Sequence, residues 1–356
     1  MSQVHFVPAR TDDPDDVMNE KVSALWRQAG LSGCFTKGDL AALKLHVGEP
    51  GTKTFVPPRI VKSLVSMMTV AGASPFLTDT AVLYKSPRDN GPGHLRVAMD
   101  HGFSPLGVGA PFLPADGLTG ADAEEVPVGG AHFETVSIAS AILKARSMLL
   151  LTHATGHLGT GFGGAIKNLG MGCSSKKSKL RQHHGQHPRI DIEKCQGCAV
   201  CADWCPTDSI TVDEKAVIDK GTCIGCGECI ATCLMGAVEF DWSIMGKDLS
   251  ERIVEHAAGA IRGKEGKLAC VTVAMDITKN CDCLGVLEEP VVEDIGILAS
   301  TDPVALDRAV LDLIMERAGK SLMDLSYPDR DGNYQIAYAA EIGLGTEDYD
   351  LVTVDA

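Results

Sequence analysis

Cys195-Gln196-Gly197-Cys198-Ala199-Val200-Cys201-Ala202-Asp203-Trp204-Cys205-Pro206 is followed, 28 residues downstream, by Cys223-Ile224-Gly225-Cys226-Gly227-Glu228-Cys229-Ile230-Ala231-Thr232-Cys233. Each run sets three cysteines at intervals of three and a fourth after a longer gap. Three thiolates at that spacing wrap one corner of an iron–sulfur cube within a single loop. The fourth lies too far along to close comfortably on the same cube and reaches across to the other. The pattern predicts two [4Fe–4S] clusters, one held by Cys195, Cys198, Cys201 and Cys233, the other by Cys223, Cys226, Cys229 and Cys205. Paired zinc sites are the competing reading, since Cys-x-x-Cys also grips zinc. Zinc motifs, however, seldom carry three consecutive cysteines at this spacing twice.

The repeat extends beyond sulfur. Asp191 and Asp219 each precede their first cysteine by four residues, and Ile210 and Val238 each follow it by fifteen. This is expected of duplicated half-modules folding over each other. Ser209-Ile210-Thr211-Val212, Asp213-Glu214-Lys215 and Ala216-Val217-Ile218-Asp219 read as a hairpin between them. Proline follows the first run, whereas Leu234 follows the second, a change that alters a turn and no ligand.

The chain has 356 residues and is 45% hydrophobic, enough for a core far larger than two cysteine runs need. Its formal charge of −15 disfavours nucleic acid or an anionic membrane as partner, because phosphate neutralisation needs clustered Lys and Arg. An acidic surface suits docking to a basic redox protein. No apolar run approaches the length that spans a bilayer. Of the 13 cysteines, eight are assigned as thiolate ligands, and no signal sequence precedes them. The expected compartment is a reducing, oxygen-poor cytoplasm.

Strand-like and helix-like segments alternate on both sides of the cysteine runs. Val4–Val7, Leu40–His46, Pro75–Asp79 and Ser147–Thr152 read as strands, and Pro14–Ala29 and Pro57–Ala71 as helices, with Ser137–Ala145 continuing the pattern. It resumes with a helix over Lys247–Arg262, a buried strand over Leu268–Val273 and a helix over Val304–Ala318. Such alternation argues for an α/β fold, a mainly parallel sheet flanked by helices. The economical division is an α/β domain over residues 1–187 and 241–356, carrying a small α+β module over residues 188–240 as an insertion. The polar stretch Ser174–His184 reads as a solvated loop leading into the insertion.

Several motifs outside the cysteine runs carry chemistry. Gly159-x-Gly161-x-x-Gly164 formally matches a dinucleotide fingerprint, but no full helix or acid about 20 residues on follows it. A backbone cradle for an anionic group, with Lys167 supplying charge, stays open. His153 and His157 lie at the end of a strand, where open α/β sheets collect ligands, and serve as a metal pair or as polar lining of a cleft. Lys44, His46 and Asp79 would converge on the same edge. Asn280-Cys281-Asp282-Cys283 has the donors for an additional metal near Cys281 and Cys283, which Cys173 could join, with buried thiols as the alternative. Cys34 and Cys270 are assigned to the core. Asp302-Pro303 reads as a helix N-cap followed by proline at the first helical position.

With these segments assembled, the chain resembles the uncharacterised iron–sulfur centre proteins of the domain-of-unknown-function 362 family over nearly its full length. The resemblance rests on Lys44-Leu45-His46, Thr78-Asp79-Thr80 with Tyr84 and Arg88, Gly156-His157, the run Phe162-Gly163-Gly164-Ala165-Ile166-Lys167-Asn168-Leu169-Gly170-Met171-Gly172-Cys173, and Asp294-Ile295-Gly296-Ile297-Leu298 with Asp302-Pro303-Val304-Ala305-Leu306-Asp307. It implies an α/β domain that often carries an inserted bacterial-type 2[4Fe–4S] ferredoxin module. It implies no reaction, and no catalytic residue carries over. Two functions follow as expectations. One is electron transfer to or from a redox partner protein or a small-molecule substrate bound in the α/β domain, by an iron–sulfur oxidoreductase or a carrier. The other is non-redox metal or ligand binding, with clusters that are structural or redox-sensing.

Overall fold

The computed structural model describes residues 1–84, 86–183, 187–223, 228–233, 235–239 and 245–356. Among them, eight strands form one sheet: β1 (Ser2–Pro8), β2 (Leu40–Lys44), β3 (Ser74–Asp79), β4 (Phe112–Pro114), β5 (Ser147–His153), β6 (Leu268–Ala274), β7 (Gly296–Ser300) and β8 (Tyr349–Thr353). Their order across the sheet is β8-β1-β7-β6-β5-β2-β3-β4. β7 runs antiparallel to both neighbours, and every other pairing is parallel. The mainly parallel α/β sheet expected from the alternation is therefore present.

The central strands read as unbroken apolar runs because helices cover both faces. All seven residues of β5 and all seven of β6 are buried. Side chains alternate across a strand, so Met148 and Leu150 enter one core while Leu149 and Leu151 enter the other. The helices Asp15–Gln28 and Pro58–Val70 cover the second face through Met18, Val22, Leu25, Ile60 and Leu64. Lys247–Ile261 and Pro303–Ala318 cover the first through Val254, Ala257, Leu306 and Val310. Asp302 caps the latter helix: its Oδ1 accepts from Val304 N at 2.9 Å and Ala305 N at 3.1 Å, with Pro303 in the first turn.

β5 and β6 are sheet neighbours, yet residues 154–267 separate them. Along that connection lie the short helices Ala165–Gly170 and Lys176–His183, then the cysteine segment. In the cysteine segment Arg189–Ile190 pairs antiparallel with Val238–Glu239, and Ile210–Val212 with Ala216–Ile218. Its hydrogen bonds repeat with the sequence period. Cys195 N donates to Asp191 O and Cys223 N to Asp219 O, both at 3.0 Å, while Asp191 N donates to Ala237 O at 2.7 Å and Asp219 N to Ser209 O at 2.8 Å. Each half thus bonds through its aspartate to the other half.

The polar stretch after Cys173 is not a solvated loop. Lys176–His183 is a helix in which Ser178, Lys179, Gln182 and His183 are buried. Its polar groups find partners inside the protein: Ser178 Oγ accepts from Ser137 N at 2.8 Å, Gln182 Nε2 donates to Gly170 O at 3.1 Å, and Lys179 Nζ donates to Thr80 Oγ1 and Ala81 O, both at 2.5 Å. Satisfied this way, polar side chains tolerate burial that composition alone argues against.

Candidate functional site

Cys195, Cys198, Cys201 and Cys233 line one small cavity with Ile190, Val200, Ala216 and Val238. Three residues of the first run and the last residue of the second meet there. Backbone N–H groups aim at the sulfurs: Ala216 N donates to Cys195 Sγ at 3.4 Å, Ala237 N to Cys233 Sγ at 3.3 Å and Ser209 N to Cys205 Sγ at 3.2 Å. The Ala216 and Gly197 N–H groups draw the Cys195 thiol below its ordinary value, whereas burial pushes Cys201 up. At Cys205 burial pushes upward, but the N–H groups of Thr207 and Ser209 outweigh it and leave the thiol lowered. Thiolates drawn from distant segments, amide donors to sulfur and apolar walls form the donor set that a thiolate-ligated cluster uses. Of the second set, Cys205, Cys223 and Cys229 are described, and Cys226 lies outside the described residues.

A second, larger cavity of about 540 Å³ opens at the C-terminal ends of β2, β3 and β5, with the loop that follows β6 on its wall. Lys44, His46, Asp79, His153, His157, Lys167 and Asn168 all line it, so the convergence expected from the strand ends is present. Its floor is an ion-pair network. Asp79 Oδ1 lies 2.9 Å from Lys44 Nζ and Oδ2 lies 3.2 Å from Arg88 Nη1, all three side chains being buried. Lys44 Nζ also donates to Asn168 Oδ1 at 2.7 Å. Arg88 Nε pairs with Glu49 Oε1 at 2.8 Å, its Nη2 donates to Tyr84 Oη at 3.0 Å, and Tyr84 in turn donates to Glu49 at 2.9 Å. Burial alone would raise the Asp79 carboxyl, but Lys44 and its other cationic neighbours hold it well below the usual carboxylate range.

The histidines play different parts. His153 Nδ1 lies 2.9 Å from Asp282 Oδ2 and Nε2 lies 2.9 Å from Met275 O. Burial would lower this imidazole, yet Asp282 raises it, and with Nδ1 on a carboxylate and Nε2 on a carbonyl oxygen both nitrogens are already partnered within the protein. His157 is lowered far below its ordinary value by burial and by Lys167. Its Nδ1 accepts from Thr160 N at 3.1 Å. Burial also brings the Lys167 ammonium down to about 8 and His183 to about 3. Leu83, Leu158, Met171, Met245, Leu249 and Leu284 supply apolar wall.

Glycines let this wall form. A Cβ on Gly172 would stand 2.3 Å from Asn168 O and 2.5 Å from Lys44 Nζ, and one on Gly164 would stand 2.4 Å from Asp307 Oδ1. Asp307 holds the glycine-rich turn from the neighbouring helix, accepting from Ala165 N at 2.7 Å and Ile166 N at 2.9 Å. The Gly159–Gly164 segment itself is half of a hairpin, Thr155–His157 against Gly161–Gly163, followed by a six-residue helix. That geometry lacks the strand-to-helix turn of a dinucleotide site.

The additional metal near Cys281 and Cys283 is corrected. The two sulfurs are bonded to each other in a disulfide on the cavity wall, which leaves neither thiolate to ligate. Cys173 does not line the cavity and is wholly buried in the core, with its thiol pushed up to about 11 by burial. Among the described residues no three His, Cys, Asp or Glu side chains close on a point that would hold a single ion. Cys34 and Cys270 are buried, as the sequence indicates. Sequence reasoning missed Glu49, Lys179 and His183, of which the last two stand one helical turn apart and share a face.

The domain of unknown function DUF362 matches residues 41–312. The chain belongs to this family. Among curated proteins, the DUF362 chain is 32% identical over 79 residues to the pyruvate synthase subunit PorD of Methanothermobacter marburgensis, covering 22% of the chain and 91% of PorD. It is 38% identical over 52 residues to the thiosulfate reductase electron transfer subunit PhsB of Salmonella typhi, covering 14% of the chain and 27% of PhsB. Three of the curated relatives are spanned over only 17%, 20% and 27% of their length. Among solved structures, the lactate racemase apoprotein from Thermoanaerobacterium thermosaccharolyticum aligns with a TM-score of 0.43 at 9% identity, over 86% of the DUF362 chain and 56% of the racemase. Among the described residues no helix is long and apolar enough to cross a membrane.

Proposed function

We propose that this DUF362 protein is an iron–sulfur redox protein that exchanges electrons between a partner protein and a substrate held in the 540 Å³ cavity. The observation that carries the reading is the meeting of Cys195, Cys198, Cys201 and Cys233 around one cavity, since the fourth ligand comes from the other run. In this reading those four residues hold one [4Fe–4S] cluster and Cys205, Cys223, Cys226 and Cys229 hold a second, in a module spanning residues 188–240 carried by a host of residues 1–187 and 241–356. Such clusters accept and release single electrons. The PorD and PhsB similarities accord with redox work by a subunit of this kind.

The host's own residues prepare a substrate. Lys167 presents an amine to the chamber between its ion-paired floor and its apolar wall, where it binds a carboxylate or carbonyl oxygen and, with a value near 8, gives or takes a proton at neutral pH. His157, kept neutral, serves as a second polar contact. The buried Lys44–Asp79–Arg88–Glu49 network fixes the floor and keeps water from dispersing its charges. The helix Lys176–His183 links cavity and module, for it lines the one through Lys179 and His183 and packs against the Glu228–Thr232 helix of the other. Protein purified without oxygen should be titrated with a low-potential donor and followed by visible absorption and electron paramagnetic resonance. Reversible one-electron cycling without loss of iron supports the proposal. Clusters that fall apart on reduction would overturn it.

A further inference from the structure

We infer that Cys281 and Cys283 are a redox-active dithiol/disulfide couple on the wall of the large cavity, reduced by single electrons that arrive through the cysteine module. The inference rests on the cluster reading above and extends it by one chemical step. The starting observation is placement. The pair is bonded to itself and faces the chamber that Lys167, His157 and His183 also line.

A staple role does not account for this bond. With only one residue between its ends the bridge closes almost no loop, and the constraint a disulfide puts on the unfolded chain shrinks with loop length. The segment is held in place by other means. Asn280 bonds to Glu288 and Tyr327, and Asp282 is gripped by His153. The core thiols provide a contrast: Cys34, Cys173 and Cys270 do not line the cavity, and burial pushes all three above their ordinary value, as befits inert cysteines, whereas Cys281, though also buried, stands on the cavity wall. Cys281 and Cys283 instead line the cavity that also carries the Lys167 amine, while His153 is taken up by the Asp282 carboxylate between them. A cationic amine in the same cavity favours thiolate over thiol, which is the condition for dithiol chemistry.

One helix stands between the module and the cavity. The helix Glu228–Thr232, bearing Cys229, packs on Lys176–His183, and His183 and Met245 both line the cavity. In the step itself the Cys281–Cys283 S–S bond breaks, two electrons enter one at a time, and two protons from solvent complete two thiols. The electrons come from a one-electron donor of the ferredoxin or reduced-viologen class. The couple thereby gathers single electrons into a pair, the unit in which organic substrates are reduced.

The test uses the full chain with its clusters, under argon. Samples are held oxidised or reduced with photoreduced methyl viologen, precipitated with trichloroacetic acid to stop exchange, redissolved in denaturant at about pH 8 with excess iodoacetamide, and digested with trypsin. The peptide from Asn280 to Arg308 contains only these two cysteines, so its mass reads the couple without interference from cluster ligands. The inference expects no added alkyl groups before reduction and one on each cysteine after it, with roughly tenfold slower appearance in a Cys195→Ser, Cys223→Ser variant. In case that variant fails to fold, the uptake of reducing equivalents by Cys281→Ser, Cys283→Ser protein provides a second reading: about two electrons per chain against about four for the parent. Two free thiols in the oxidised sample, or an intact disulfide while paramagnetic signals show the clusters reduced, would overturn the inference and leave the cluster reading standing. Equal reduction with and without the clusters would overturn it as well. Absence of any cluster signal would overturn both.

Discussion

Asp79→Asn tests whether the cavity floor is the electrostatic keystone that its geometry indicates. The substitution keeps the shape of the side chain and removes one charge between Lys44 Nζ at 2.9 Å and Arg88 Nη1 at 3.2 Å. Arg88 retains Glu49, but the remaining hydrogen-bond acceptors of Lys44, Asn168 Oδ1 and Leu45 O, are neutral. Stripping one partner from a buried ion pair costs about 3–5 kcal/mol. For a chain of this size, with a urea dependence of ~3 kcal/mol per molar, the midpoint should fall by ~1–1.7 M. Fluorescence of the buried Trp26 follows the transition. The pH dependence has a definite sign. Because the folded carboxyl titrates below its ordinary value of 3.8, its contribution is fully present above pH ~4 and is lost as pH falls toward the folded value. The deficit of the variant should therefore be constant from pH 5 to 8 and shrink below pH 4. A loss under about 1 kcal/mol, or a deficit that widens in acid, would refute the reasoning.

Other substitutions probe the rest of the site. Competitive acetylation mapped by mass spectrometry should give Lys167 a reactivity midpoint near 8, the value to which burial brings it; a midpoint near 10 would place its amine in open solvent. Asp307→Ala should cost ~1–3 kcal/mol by denaturant titration, since the N–H groups of Ala165 and Ile166 lose their acceptor. Burial lifts the Asp307 carboxyl to about 7, so the folded state holds its proton more tightly and wild-type stability falls relative to Asp307→Asn as pH rises from 4 to 7. Gly172→Ala should cost ~1–3 kcal/mol, because the new methyl would stand 2.3 Å from the Asn168 carbonyl oxygen, a backbone atom that cannot swing away.

Where a residue's role follows from local spacing, the sequence is readable. The β5 run Ser147–His153 is buried throughout, with Met148–Leu151 apolar at its centre, because helices cover both its faces, and residues at the ends of parallel strands share one edge whatever the loops do. Hence Lys44, Asp79 and His153 could be placed together from the strand pattern alone. Lys176–His183 was less readable, because its charge argues for solvent unless the acceptors Thr80, Ala81 and Gly170 are known to surround it. Likewise Glu49 and Arg88 are 39 residues apart, and only the fold joins them. Cys281 and Cys283 present the same spacing to a metal and to each other, so their partner was not decidable from residue types.

Iron and acid-labile sulfide content of anaerobically purified protein, with Mössbauer spectra of an ⁵⁷Fe-grown sample, tests the central claim most directly. The account predicts about eight irons and eight sulfides per chain, all in the delocalised mixed-valence signature of cubanes, falling to about four in Cys201→Ser. A colourless protein holding two zinc ions, or one whose iron carries no sulfide, would contradict it.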